Sequence, residues 1–369
     1  MNDRSFNIAK QLAPELFSDT FFEARAKFIA AATEARAYPC RATGPAGEDL
    51  FTDAAWFGNP EAKNLLILVS GTHGAEGYCG SAAQLALLKV GLHKALPSST
   101  AVLMIHALNC YGFAWDRRIT AEGIDLNRNF VDFSKPVPVN PGYEELATSL
   151  VPQDLSDEGL RRAEASIAAF RARHGEAEFQ KARTTGQYTC PGGMFYGGSG
   201  PSEARTTLEQ IGIDYRISER EQVIILDYHT GLGPYGYGEL QSENASGLDG
   251  YERALRVFGP SVTSPDLGSS SSVAITGCQD EYWERLLGDR HIYLAFEFGT
   301  FSRDSAREAE RGDNWLFQYH PEQTNTGIGR ALRAKTKLHF YPQEPGWEEV
   351  VMWRAHQVHR QAIEALVAS

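Results

Sequence analysis

The sequence predicts an α/β layered fold with a largely parallel core sheet, and three observations lead there. Short continuous apolar runs recur at residues 65–69 (Leu-Leu-Ile-Leu-Val), 102–105 (Val-Leu-Met-Ile), 223–226 (Val-Ile-Ile-Leu) and 292–296 (Ile-Tyr-Leu-Ala-Phe). Unbroken apolar runs of this length, rather than strict alternation, mark strands buried on both faces. Stretches with helical spacing separate one run from the next, which is the order of a sheet covered by helices.

The elements follow in chain order. Residues 1–11 carry Asp3, Arg4 and Lys10 and no apolar stretch, so no signal peptide is expected. Ser18 and Asp19, ahead of Phe21, Phe22, Ala24, Phe28 and Ile29, predict a capped amphipathic helix. Residues 50–57 read as a strand ended by the Gly58-Asn59-Pro60 turn. The run at 65–69 is the first buried strand, followed by Ser70-Gly71-Thr72 and a helix over 79–90. The runs at 102–105, 223–226 and 292–296 are the next three strands. Helices are expected at 157–173, 204–210 and 280–287, and at 348–367, where Val351, Ala355, Val358 and Ile363 share one face. No repeat, low-complexity tract or linker divides the chain, so residues 1–369 read as a single domain.

Composition narrows the function classes. Hydrophobic residues make up 42% and charged residues 22% of the 369 residues, an ordinary globular balance. A formal net charge of −12 and the lack of a basic stripe argue against a nucleic-acid partner. The longest of the apolar runs is far too short to span a bilayer, so no membrane partner is expected. Cys40, Cys79, Cys110, Cys190 and Cys278 are scattered, with no Cys-x-x-Cys, which favours a reducing compartment and a cytoplasmic protein. Gly192-Gly193 and Gly197-Gly198 lack the Lys-Ser/Thr of a phosphate loop. The serine run 269–272 lacks a Gly-x-Ser-x-Gly context and reads as a flexible loop.

In open α/β sheets, ligands bind beyond the carboxyl ends of the strands. Three runs there lead into polar chemistry: His73-Gly74-Ala75-Glu76, Asp227-Tyr228-His229, and Glu297. Catalytic zinc takes three His or carboxylate ligands and keeps one position open. His73 and Glu76, three residues apart, can face one side of a turn, and His229 can supply the third bond. The competing reading makes the histidines loop caps and Glu76 a helix-start residue near the positive end of the dipole. The density of glycine around both histidines, at positions 71, 74, 77, 80, 231 and 233, favours close approach to a bound group. A further cluster, Asp125-Leu126-Asn127-Arg128-Asn129-Phe130, follows Arg117-Arg118. Arg128 with Asn127 can grip a carboxylate, and Arg118 can meet charge on a carbonyl oxygen; otherwise the arginines form a surface ion-pair patch.

This ordered set of His73-x-x-Glu76, Asp125 to Phe130, His229 and Glu297 resembles the zinc carboxypeptidase family, which includes pancreatic carboxypeptidases A and B. The aspartoacylase and succinylglutamate desuccinylase branch shares the framework more distantly, and the wording around the motifs looks most like a bacterial subgroup without an assigned function. The resemblance runs from about residue 60 to about residue 300. It implies a three-layer fold, with a central mixed, largely parallel twisted sheet and helices on both faces. It implies one Zn2+ held by His73, Glu76 and His229, with Glu297 as general base and later acid. It also implies that Asp125 orients His73, that Arg118 polarises the scissile carbonyl, with Arg117 still open for that role, and that Asn127 and Arg128 bind the terminal carboxylate. The expected substrate is a small peptide cut beside its free carboxylate; an acylated amino acid, or a homologue that binds zinc without catalysis, are the alternatives. The long interval from Glu76 to His229 implies an insertion near 133–218. The substrate-flanking tyrosine of the family stays open among Tyr282, Tyr235 and Tyr237, and Asp266, Thr276 and Gln279 are candidates for the pocket floor.

Overall fold

The structure is a computed structural model that describes residues 12–243 and 247–368. The expectation for residues 1–11 lies outside the described residues. An eight-stranded sheet forms the centre, in the order β1-β2-β4-β3-β5-β8-β6-β7. Its strands are β1 (Arg36–Thr43), β2 (Asp49–Gly58), β3 (Asn64–Val69), β4 (Thr100–His106), β5 (Gln222–Thr230), β6 (Gly238–Gln241), β7 (Val262–Thr263) and β8 (His291–Phe298). The four apolar runs are the adjacent parallel strands β4, β3, β5 and β8. Antiparallel pairing on either side, β1 to β2 to β4 and β6 to β8, makes the sheet mixed.

The period-two alternation of a strand sends its side chains to opposite layers. Leu66 and Leu68 of β3 pack with α1 (Phe21–Ala32), α2 (Gly77–Val90) and α12 (Pro345–Ala368) through Phe28, Tyr78 and Val351. Leu65, Ile67 and Val69 face the other way, toward α7 (Glu203–Asp214) and α9 (Gln279–Leu287), through Leu208, Ile211 and Trp283. The result is the expected three layers. Between β4 and β5 the chain also forms α3 (Cys110–Ala114), α4 (Pro141–Leu150), α5 (Asp157–His174) and α6 (Glu176–Thr184). α4 to α6 close a third apolar cluster with Trp315 and Leu316 of α10 (Arg303–Tyr319). α8 (Leu248–Phe258) and α11 (Gly327–Phe340) complete the set. Among the described residues, no helix is long and apolar enough to cross a membrane.

Two local expectations are corrected. Thr20, not Ser18 or Asp19, caps α1: its Oγ1 accepts from Glu23 N at 3.2 Å, because only the residue directly before the first turn can reach that amide. The serine run 269–272 is tied down. Ser271 N and Oγ both donate to Glu239, at 3.1 and 2.5 Å, so a side chain from β6 orders a stretch whose composition reads as loop.

Candidate active site

The carboxyl ends of β3, β5 and β8 lie side by side, and this register builds the site. His229 and Glu297 are register partners across β5 and β8, and Glu239 of β6 pairs with Glu297 on the other side. After β3 the chain turns through Gly71 at φ +71°, where a Cβ would come within 3.1 Å of Ala107 Cα. His73 then precedes, and Glu76 ends, the single turn Gly74–Glu76 ahead of α2. That turn is pinned from behind: Ala75 N donates to Arg117 O at 2.8 Å, and Gly74 packs so tightly on Gly112 that a Cβ would lie 1.9 Å from its carbonyl carbon.

His73, Glu76 and His229 each present a ligand atom, and these atoms lie within 4.8 Å of one another. The two imidazoles face each other through Nδ1, 3.2 Å apart, with Glu76 Oε1 2.9 Å from His73 Nδ1 and Oε2 3.1 Å from His229 Nδ1. The outward nitrogens are held by buried carboxylates: His73 Nε2 lies 2.9 Å from Asp125 Oδ1, and His229 Nε2 lies 3.0 Å from Asp227 Oδ2. Each carboxylate accepts a hydrogen bond from the Nε2 proton, which leaves Nδ1 to offer a lone pair, and the Arg118 guanidinium also lies 3.0 Å from His73 Nε2. Two lone pairs and a carboxylate therefore converge on one point, and this donor set fits a divalent cation with nitrogen and oxygen preference.

The carboxylates at the site are pushed apart in acidity. Burial raises Glu76, but His73, His229 and Arg118 outweigh it and hold the carboxyl well below its usual range. Asp125 is likewise held ionised against burial by Arg118, His73 and Arg128. Glu297 goes the other way: burial and the Glu76 charge raise it to about 8, against the opposing pull of His229, the Leu232 amide at 2.9 Å and Arg118. A pair of carboxylates split in this manner marks one as a permanent anion and the other as a proton carrier. A dication beside His229 would lower Glu297 again by opposite charge.

The centre opens into a cleft. Arg118, Asn127 and Arg128 line it together with His73, Glu76, His229 and Glu297. Arg118 donates to Glu76 Oε1 at 2.7 Å and to Asp125 Oδ2 at 3.1 Å. Arg128 is held by the carbonyls of Thr184 and Asn127. Arg117 points away, into a buried ion pair with Asp313 behind the site, which separates the two adjacent arginines.

Several sequence candidates lie elsewhere. Tyr282 packs between Phe130 and Trp283 in the core, Tyr235 and Tyr237 are each 48% exposed, and among the described residues no tyrosine lines the cleft. Asp266 is on the surface, and Thr276 bonds the Thr185 carbonyl. Gln279 braces the site from outside, donating to Asn127 Oδ1 through its amide and to Asp227 through its side chain. The cleft wall comes instead from Gln241, Glu243, Ser271, Ser272 and Ile275, with Gln180, Arg183, Thr184 and Phe195 from the 133–218 segment. Burial raises Glu243 to about 7, and its Oε2 has no hydrogen-bond partner among the described residues. Sequence reasoning missed the role of Asp227, although its place two residues before His229 on one strand puts both side chains on the same face.

The profile of the family described as "Protein of unknown function (DUF2817)" matches residues 17–354, and the chain belongs to that family. No curated protein matches the sequence. Among solved structures, bovine thrombin-activatable fibrinolysis inhibitor is 13% identical, with a TM-score of 0.42 over 89% of this chain and 99% of that one. Carboxypeptidase A from Helicoverpa armigera is 14% identical, with a TM-score of 0.41 over 91% and 80%. An aspartoacylase family protein from Mesorhizobium loti is 14% identical, with a TM-score of 0.38 over 77% and 66%.

Proposed function

We propose that this member of the family is a zinc-dependent hydrolase that cuts an amide bond beside a free carboxylate, acting as a carboxypeptidase on small peptides. One observation carries the reading: three buried ligand atoms converge at 4.8 Å or less beside a carboxyl group with raised proton affinity, in a cleft that also holds an arginine to which no carboxylate is bonded among the described residues. When bound, zinc would polarise the scissile carbonyl and increase the acidity of water beside it.

The chain's own groups do the rest. Arg128, with Asn127, takes the substrate's terminal carboxylate and so fixes which amide lies over the centre. Glu297 accepts a proton from the attacking water as its oxygen bonds to the carbonyl carbon. The same carboxyl returns that proton to the departing amine nitrogen as the C–N bond breaks, a role worth roughly 10²–10⁴-fold. Arg118 faces the negative charge that builds on the carbonyl oxygen. Asp125 and Asp227 hold the two imidazoles with Nδ1 inward throughout.

A substrate panel tests this. Zinc-loaded protein should cleave acyl dipeptides with a free terminal carboxylate, lose activity with a chelator, regain it with zinc, and leave the same peptides untouched when their terminus is an amide. Equal cleavage of the amidated peptides, or no cleavage by fully loaded protein, would overturn the reading. Faster release of acetate from N-acetyl amino acids than cleavage of any peptide would make it a deacylase.

A further inference from the structure

Three guanidinium groups lie near the Phe195 ring: the carbon centres of Arg128, Arg118 and Arg183 are 5.3, 5.4 and 5.8 Å from its centroid. All three arginines and the ring line the cleft. Their anchors differ. Arg118 bonds Glu76 and Asp125, and Arg183 donates to Glu310 at 2.9 Å. Among the described residues, Arg128 bonds only backbone carbonyls, Thr184 O at 2.7 and 3.1 Å and Asn127 O at 2.8 Å. A carboxylate partner would fix Arg128 but would also compete with any incoming anion. A ring face and carbonyl oxygens attract the guanidinium without neutralising it.

The backbone shows that the ring is placed under constraint. Phe195 sits at φ +55°, in the left-handed region that bulky residues rarely adopt, and such conformations persist only where the surroundings over-determine them. Here they do. Gln187 N donates to Phe195 O at 3.1 Å, Gln187 Nε2 to Met194 O at 3.3 Å, and Asp125 N to Tyr196 O at 2.8 Å. The last bond ties the turn to the residue that holds His73.

We propose that Phe195 is a positioning residue, whose ring holds the Arg128 guanidinium un-neutralised and facing the cleft to receive a substrate carboxylate; this rests on the function proposed above. The ring touches no reacting atom and acts through Arg128.

Calorimetric binding of N-acetylphenylalanine to the full zinc-loaded chain tests it, with N-acetylphenylalaninamide as the uncharged control. Phe195→Leu should weaken the carboxylate about tenfold and leave the amide unchanged, as loss of a desolvated cation–π contact predicts. Phe195→Tyr, which keeps the ring, should restore the carboxylate affinity. Phe195→Met serves as the ring-free variant if Phe195→Leu does not fold. Unchanged carboxylate affinity without the ring, equal weakening of acid and amide, or no recovery with Tyr each overturns the proposal. If wild type and Arg128→Ala bind the acid equally, carboxylate reading by Arg128 fails and the positioning role falls with it. That result appears in the Arg128 comparison, not in the Phe195 series.

Discussion

Two pairs of buried histidines sit on the same sheet framework and behave in opposite ways. His73 and His229, at the carboxyl ends of the strands, each have a buried carboxylate on Nε2 and turn Nδ1 toward the other. His106 and His359 lie in the apolar layer on one face. His106 lies 3.0 Å from the Ser81 hydroxyl and stacks on Phe28, and His359 contacts the Tyr228 hydroxyl. Burial opposes charge on His229, His106 and His359 alike, yet Asp227 and Glu76 raise His229 well above its usual value, whereas His106 and His359 are driven down to about 3. The partner, not the depth, decides whether a buried imidazole stays neutral or takes a second proton, and on His229 that proton is the one a divalent cation at Nδ1 would displace.

The largest effect should come from the carboxyl group beside that centre. Glu297→Gln should lower the hydrolysis rate roughly 10²–10⁴-fold while zinc content by plasma emission stays at the wild-type level. Zinc lost along with activity would show that the proton carrier and the metal cradle cannot be separated, and would break the contrast.

A smaller effect isolates the partner itself. Asp227→Asn should weaken zinc binding about 10–100-fold in a chelator competition, since Asp227 fixes the proton on His229 Nε2. Asp280→Asn is the control. It removes a carboxylate 2.8 Å from His291 Nε2, equally buried but outside the cleft, and should leave zinc affinity unchanged. Equal losses from both variants would mean that Asp227 acts only through the fold.

The smallest effect lies in the other pair. His106 has a folded pKa of about 3 against about 6.5 unfolded, so between those values the unfolded chain binds a proton that the folded chain refuses. Its contribution to stability is complete above pH 6.5 and falls as the pH drops, by at most about 1.4 kcal/mol per pH unit. In denaturant titrations from pH 6 to 4, His106→Gln should reduce the slope of stability against pH by about that amount. An unchanged slope would place the acid sensitivity in other groups. The slope is the readout, because losing the Phe28 stack lowers stability at every pH.

Parts of the fold are plain in the sequence, and parts are hidden, for reasons that particular residues show. β3, β4, β5 and β8 are continuous apolar runs because both faces are covered. β1 carries Arg36, Pro39 and Arg41 on an edge half open to water, so neither alternation nor a run announces it. α10 buries Arg307, Glu310, Arg311 and Asp313, and ion pairs replace the apolar stripe that would reveal a helix.

The parallel core and the polar residues that end its strands are legible in the order of residues, because a period of two and a run of apolar side chains are local properties of the chain. Folding in three dimensions selects which of two neighbouring arginines enters the cleft, sets Asp227 beside His229, and brings Phe195, far from the motifs in sequence, next to Arg128. Those outcomes depend on register between strands and on a strained turn fixed by distant hydrogen bonds, and such long-range geometry leaves no periodic trace in the order of residues.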